Sequence, residues 1–189
     1  VNSPNNPSGT VLSRDTVIRL SELLIQKSAE TGHTIYIISD EPYRELVYDD
    51  VEAPFIASYY PNTLVCYSFS KSLSLPGERI GYILAPNELE AFEDVCAATL
   101  GALRVDGYVC APSLMQRVAA RCAAVPPDLS AYRRNRDLFY GALTEMGYRC
   151  ARPDGAFYLF VEAPNCTGAE FSAAARRYDV LAVSGDSFG

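Results

Sequence analysis

Residues 64–71 read LVCYSFSK, an apolar and aromatic run that passes directly into a serine and a lysine. Two further runs have the same character, TIYIIS at residues 34–39 and IGYILA at residues 80–85. Continuous runs of β-branched and aromatic residues are typical of strands that are buried on both faces of a parallel sheet. Together with an amphipathic helix expected between Ser13 and Gly32, these strands predict an α/β fold.

The pattern changes beyond residue 87, where apolar residues recur at helical spacing. Helices are predicted at residues 89–96, 114–122 and 129–147. A strand at residues 156–162, a helix with a capping box formed by Thr167 and Glu170, and a strand at residues 180–183 follow. Because Pro126-Pro127 punctuates the chain, we predict a mostly parallel α/β domain at residues 1–128 and part of a smaller α+β domain at residues 129–189.

The composition excludes several classes of protein. Hydrophobic residues make up 49% of the 189 residues and charged residues 21%, which suits a packed core and not a disordered chain. The net charge of −7 and the lack of a basic cluster argue against nucleic acids and anionic membranes as partners. No apolar run reaches the ~18 residues of a transmembrane helix. The first residues, VNSPNNPSG, lack the basic and apolar regions of a signal peptide.

Few residues are available for nucleophilic or metal chemistry. The only histidine is His33, which excludes a multi-histidine metal site, and the only lysines are Lys27 and Lys71. The six cysteines have no C-x-x-C spacing, so we interpret them as reduced thiols of a cytoplasmic protein. Any chemistry that needs a lysine amine therefore has two candidates.

Polar residues follow the predicted strands, including a strand whose tail is expected at residues 1–4. Ligands of open parallel sheets bind beyond the carboxyl ends of the strands, so these residues are expected to converge on one crevice. They comprise amides, a carboxylate, hydroxyls, an amine and a guanidinium, from Asn5, Asn6, Asp40, Ser68, Ser70, Lys71 and Arg79.

This set of groups suits pyridoxal 5′-phosphate. A lysine amine can form a Schiff base with its aldehyde. A carboxylate can keep the pyridine nitrogen protonated, which makes the ring an electron sink. Hydroxyls and an arginine can bind its phosphate.

Three motifs in order resemble the class I/II aminotransferases of pyridoxal-phosphate fold type I, the aspartate aminotransferase superfamily. The motifs are NPSG at residues 6–9, SDEPY at residues 39–43, and SFSKSL at residues 68–73 with PGERIGY at residues 76–82; a weaker match is DGAFY at residues 154–158. The resemblance covers nearly the whole chain. It implies that residues 1–128 are the C-terminal part of a three-layer α/β/α large domain that binds the cofactor, and that residues 129–189 are part of the small domain.

The resemblance also implies roles for individual residues. Lys71 would form the Schiff base and then move the proton of the substrate Cα, and Asp40 would pair with the pyridine nitrogen. Asn6 and Tyr43 would bind the phenolate oxygen of the ring. The phosphate would be bound by Ser68, Ser70 and Arg79.

Each of these residues also has an ordinary structural explanation when it is taken alone. The NPSG segment could be a simple turn, Asp40 a helix cap, Lys71 a solvated lysine and Arg79 a surface arginine. The functional interpretation depends on their joint order and spacing.

The function implied by the resemblance is amino-group transfer between an amino acid and a 2-oxo acid, by a cytoplasmic homodimer. The same motifs serve lyases of the carbon–sulfur β-lyase type, cyclopropane-forming synthases and non-catalytic aminotransferase-like regulatory domains. Family members have an N-terminal half before the Asn-Pro turn and a carboxylate-binding arginine beyond the last residues present here. We therefore expect the chain to be a fragment that is inactive alone.

Overall fold

The computed structural model describes residues 1–188. Its sheet has three strands in the order β1-β2-β3, namely β1 (Ile37–Asp40), β2 (Thr63–Ser68) and β3 (Gly81–Leu84). β1 and β2 are parallel, with Asp40 opposite Cys66. On the other side of β1, Asn2 forms a parallel bridge with Asp40. The first two apolar runs therefore form neighbouring parallel strands, as predicted, and the start of the chain lies beside them.

The third apolar run departs from the prediction, because β3 is antiparallel to β2 and all four of its residues are exposed. The connection at residues 69–80 turns back on itself, and the Phe69 N–H donates to the Ile80 carbonyl at 3.1 Å. A connection of this kind returns the chain along β2, whereas a parallel pair needs a longer crossover. Gly81 is required there, since a Cβ would lie 2.3 Å from the Tyr67 carbonyl oxygen.

Six helices are described in residues 1–188: α1 (Arg14–Thr31), α2 (Phe69–Ser72), α3 (Phe92–Val105), α4 (Ser113–Cys122), α5 (Ser130–Glu145) and α6 (Gly168–Arg176). Ser13 caps α1 by accepting from the Thr16 N–H, and Gly32 ends it at φ 68°. The capping box of Thr167 and Glu170 is present at the start of α6. Local capping chemistry thus sets these ends as predicted. None of the helices in this part of the chain is long and apolar enough to cross a membrane.

The two strands predicted in the second half are wrong. Within residues 156–162 only Val161 forms a bridge, an isolated one with Cys150. The residues before it, 153–156, turn and form backbone hydrogen bonds with Leu46 and Tyr48, in the segment that follows β1. The left-handed conformation of Ala156, at φ 57°, interrupts an extended strand. Residues 180–183 have no strand partner among the described residues, and Leu181 is 83% exposed. A β-like sequence without a partner does not make a strand.

Two hydrophobic clusters form the core. The first packs α1 on the sheet through Val17, Ile37, Ile56 and Tyr60. The second consists of Tyr43, Leu46 and Ala156, with Leu129 and Tyr158 against it. Because the second cluster joins residues 43–46 to residues 156–158, it brings residues 156–158 close to the carboxyl end of β1. The division into domains at residues 128 and 129 stays a prediction.

Candidate active site

Lys71 lies at the carboxyl end of β2, on the short helix α2, against two aromatic rings. Its Nζ is 5.2 Å from the ring centroid of Phe157 and 5.8 Å from that of Tyr43. The two rings meet edge to face with centroids 5.5 Å apart. Ring faces attract cations, so this pair orients the ammonium group at the end of the sheet.

Lys27 is in a different environment. It lies on α1 and forms an exposed ion pair with Glu30 at 2.6 Å. Of the two lysines, only Lys71 is near the polar residues that follow the strands.

The helix that carries Lys71 is oriented by Tyr67. The Tyr67 hydroxyl donates to a carboxylate oxygen of Glu45 at 2.8 Å and lies 2.7 Å from the hydroxyl of Ser72, the residue after the lysine. Burial raises the pKa of Tyr67, so its phenol remains protonated. The preceding strand therefore fixes the direction of the short helix.

Tyr43 is the centre of the site. It is 4% exposed, and its hydroxyl lies 2.8 Å from the hydroxyl of Tyr158. Burial, followed by the hydrogen bond and the charge of Tyr158, raises the pKa of Tyr43, and the Asn6 amide opposes this. Tyr43 is therefore a neutral phenol with one proton to donate.

The buried side-chain amide of Asn6 lies beside Tyr43. Its backbone N–H donates to Asn2 Oδ1 at 2.7 Å, but its side-chain Oδ1 is buried with no hydrogen-bond partner among the described residues. A buried polar atom without a partner is costly, so Oδ1 of the amide is available to a ligand. Rotation of the amide presents either its oxygen or its NH₂ group.

Asp40 ends β1 and accepts from Asn2 Nδ2 at 3.1 Å. Burial raises the pKa of the Asp40 carboxyl, although the Val1 ammonium and Asn2 act in the opposite direction. A carboxylate that has lost water without gaining a close side-chain cation would be stabilised by a cationic ligand.

The serines and Arg79 are brought together only in part. Ser68 caps α2, with its Oγ 2.7 Å from Ser70 Oγ and accepting from the Ser70 N–H at 3.2 Å. Arg79 is exposed and donates to the Pro76 carbonyl at 2.9 Å. Because Gly81 pairs with Ser68, Arg79 lies at the same end of the sheet, but its guanidinium contacts its own turn and not the serines.

Comparison with known proteins identifies the family. The family model for aminotransferases of class I and II matches residues 1–189. The chain belongs to this family. A crystal structure of an amino transferase from Eubacterium rectale is 56% identical, with a TM-score of 0.96, over 100% of this chain and 48% of that one.

Curated aminotransferases are more distant in sequence. The aspartate/prephenate aminotransferase of Thermus thermophilus is 32% identical over 100% of this chain and 48% of its own length. An arginine–pyruvate transaminase of Pseudomonas aeruginosa is 33% identical over the same shares. The chain spans about half the length of the relatives it matches. The resemblance and the aminotransferase fold inferred from the sequence are confirmed.

Sequence reasoning missed three residues of this candidate site. Tyr158 and Phe157 contact Tyr43, and Asn2 contacts Asp40. The signal for the first two was the DGAFY match at residues 154–158, which indicated the family but no contact. No pattern in the sequence indicates that these residues reach the end of the sheet.

The turn before Phe157 is held by backbone hydrogen bonds. The N–H groups of Asp154 and Gly155 both donate to the Gly9 carbonyl at 2.9 Å, and the Ala156 N–H donates to the Leu46 carbonyl at 2.8 Å. A Cβ on Gly155 would lie 2.8 Å from the Leu46 carbonyl oxygen, so only glycine allows this approach. The Asn-Pro turn and the turn at residues 153–156 are therefore packed together.

A cluster of charged residues lies beside the same turn. Arg136 on α5, only 7% exposed, pairs with Asp49 at 2.9 Å and with Asp137 at 2.7 Å. Arg152 pairs with both carboxylates at 3.1 Å. The Arg136 guanidinium also lies 4.5 Å from the ring centroid of Tyr48 and donates to the Pro153 carbonyl at 3.4 Å. We call these four charged residues the Arg136 cluster.

Arg136→Met is expected to lower the free energy of unfolding by about 2 kcal/mol, because the buried Pro153 carbonyl loses its donor and two carboxylates lose a cation. The matched control is Arg133→Met, since Arg133 is 53% exposed and lies 3.9 Å from Asp49. The control should change stability by less than about 0.5 kcal/mol. Urea unfolding followed by circular dichroism measures both, and equal losses in the two variants would contradict this account of the cluster.

Acid stability should depend on the same cluster. The Arg136 hydrogen bond lowers the pKa of Asp49; for Asp137, burial acts to raise the pKa but the bonds to Arg136 and Arg152 lower it overall. A lowered carboxyl pKa stabilises the fold above the unfolded value of about 3.9 and stops doing so as pH falls through the folded value. Between about pH 5 and 2, the wild type should lose more stability than Arg136→Met. If urea titrations showed equal losses in the free energy of unfolding for the wild type and Arg136→Met over this range, the lowered pKa values could not be assigned to Arg136.

Proposed function

We propose that the protein containing this chain is an aminotransferase that moves an amino group between an amino acid and a 2-oxo acid with pyridoxal 5′-phosphate. The observation that carries the proposal is the position of Lys71, against Tyr43 and Phe157 at the end of the sheet, in a chain of this family. The names of the relatives support the reaction class.

The residues present fit this cofactor. The protonated Tyr43 phenol suits an anionic oxygen on an aromatic ring, and so does the NH₂ group of the Asn6 amide beside it when the amide is rotated to present that group. The partly desolvated Asp40 carboxylate suits a protonated ring nitrogen. When bound, pyridoxal phosphate supplies an aldehyde that condenses with amines and a ring that withdraws electrons.

In this proposal each residue has one task. The Lys71 amine would hold the aldehyde carbon of the bound cofactor and would move the proton at the substrate Cα. Asp40 holds a proton on the ring nitrogen, and Tyr43 and Asn6 donate to the ring oxygen.

The phosphate is assigned to Ser68, Ser70 and Arg79. The two hydroxyls are already adjacent, whereas Arg79 must release the Pro76 carbonyl to reach an anion beside them. Arginine and hydroxyl donors together suit a phosphate dianion.

The proposal extends to the organisation of the protein. It includes a large cofactor-binding domain that ends near residue 128, a small domain beginning at residue 129, a homodimeric assembly and a cytoplasmic location. The family resemblance supports these features.

Product analysis tests the reaction. The natural protein that contains this sequence would be incubated with pyridoxal phosphate, a panel of amino acids and 2-oxoglutarate. A new amino acid with the matching 2-oxo acid supports the proposal. Pyruvate with ammonia, as in β-elimination, or cofactor binding with no product, would overturn it.

A further inference from the structure

Tyr158 is the one residue of the described site that hydrogen-bonds to Tyr43 and that no motif assigns to the cofactor. Its hydroxyl is 2.8 Å from that of Tyr43, and the two rings meet edge to face at 5.8 Å. Consecutive residues of an extended strand point to opposite sides. Here Phe157 and Tyr158 both contact the Tyr43 ring, because Ala156 turns the chain at φ 57°.

The number of hydrogen bonds that the Tyr43 hydroxyl can donate decides which of the two tyrosines donates to the other. A tyrosine hydroxyl has one proton and can also accept. If Tyr43 donated its proton to Tyr158, it would have none for a ligand oxygen. If Tyr158 donates instead, the Tyr43 proton is free, and the accepted bond makes Tyr43 a stronger donor.

We propose that Tyr158 is a positioning residue that donates its phenolic proton to Tyr43 and thereby directs the Tyr43 proton to the ring oxygen of the bound cofactor. This inference rests on the proposed function. It gives the small-domain segment a direct part in cofactor binding, although Tyr158 itself need not touch the cofactor.

The surroundings of Tyr43 agree with this direction. The groups that face it are the Asn6 amide, the Asp40 carboxylate, the Lys71 ammonium and the Tyr158 phenol. Of these, the Asp40 carboxylate cannot donate when ionised, and Lys71 lies over the ring. The Asn6 amide acts to lower the pKa of Tyr43, as a donor to its oxygen does, and therefore leaves the Tyr43 proton free. Burial raises the pKa of Tyr43, so the proton to be directed stays on its oxygen.

The test compares two ligands in one variant. Tyr158→Phe keeps the ring and removes the hydroxyl. Apoprotein would be titrated with pyridoxal 5′-phosphate and with its analogue that lacks the ring hydroxyl. Tyr158→Phe should weaken binding of pyridoxal phosphate about five- to tenfold, the effect of one hydrogen bond, and should leave the affinity for the analogue unchanged.

Two further variants make the result specific. Tyr132→Phe is the matched control, since Tyr132 stacks on Phe157 at 5.5 Å and has no assigned role at the cofactor; both affinities should stay at the wild-type value. In a Tyr43→Phe background, Tyr158→Phe should have no further effect on pyridoxal phosphate.

The outcomes separate this inference from the proposed function. Equal weakening of both ligands by Tyr158→Phe, or an undiminished effect in the Tyr43→Phe background, would overturn the role of Tyr158 while leaving the function intact. A wild-type protein that binds neither ligand would overturn the proposed function itself.

Discussion

Lys71→Ala in the natural protein is expected to lower kcat/KM for transamination by about 10⁴-fold, because one amine serves both as the bonding group and as the base at Cα. No other lysine of the described chain lies at the site, since Lys27 is paired with Glu30 on α1. Stopped-time assays of 2-oxo acid formation measure this loss directly.

Lys27→Ala is the matched control for this variant. It removes the same side chain from an exposed ion pair and should keep kcat/KM within about twofold of the wild type. Activity that survives in Lys71→Ala, or that disappears in Lys27→Ala, would contradict the assignment.

Asp40→Ala is expected to lower kcat by about 10²- to 10³-fold, because a preorganised charge that stabilises the transition state is removed. The affinity for pyridoxal phosphate should fall less, by about tenfold, since the ring nitrogen pairs with Asp40 in the ground state as well. Cofactor titration and steady-state kinetics on the same preparation provide the two values.

Asp94→Ala, at an exposed position in the first turn of α3, controls for the loss of a carboxylate. It should change neither quantity. If Asp40→Ala lost affinity for pyridoxal phosphate but kept the wild-type kcat at saturating cofactor, Asp40 would bind the cofactor without assisting the chemistry, and its assigned role would be wrong.

The parts of the fold that sequence reasoning predicted are those set by local chemistry. Ser13 and Gly32 bound α1, and the Thr167–Glu170 box starts α6, because caps act within a few residues. The direction of β3 was not predictable in this way. Its apolar run suggested a buried parallel strand, but the tight return of residues 69–80 makes it antiparallel and exposed.

The same distinction between local and long-range contacts applies to the candidate site. Lys71, Tyr43 and Asn6 are adjacent as the motifs suggested, because the strand ends bring them together. Tyr158 and Phe157 reach Tyr43 only through the bonds of residues 154–156 to Gly9 and Leu46, which are contacts between distant parts of the chain. Arg79 lies two residues before β3, at the same end of the sheet as Ser68, but its guanidinium contacts Pro76 instead of the serines.

The central claim is that Lys71 is the amine that bonds to pyridoxal phosphate. Borohydride reduction of the natural protein with bound cofactor, followed by proteolysis and mass spectrometry of the peptides, tests it most directly. We predict a single pyridoxyl label on Lys71, in the peptide that contains SFSKSL at residues 68–73. A label on Lys27, or a protein with bound cofactor and no label on Lys71, would contradict the claim.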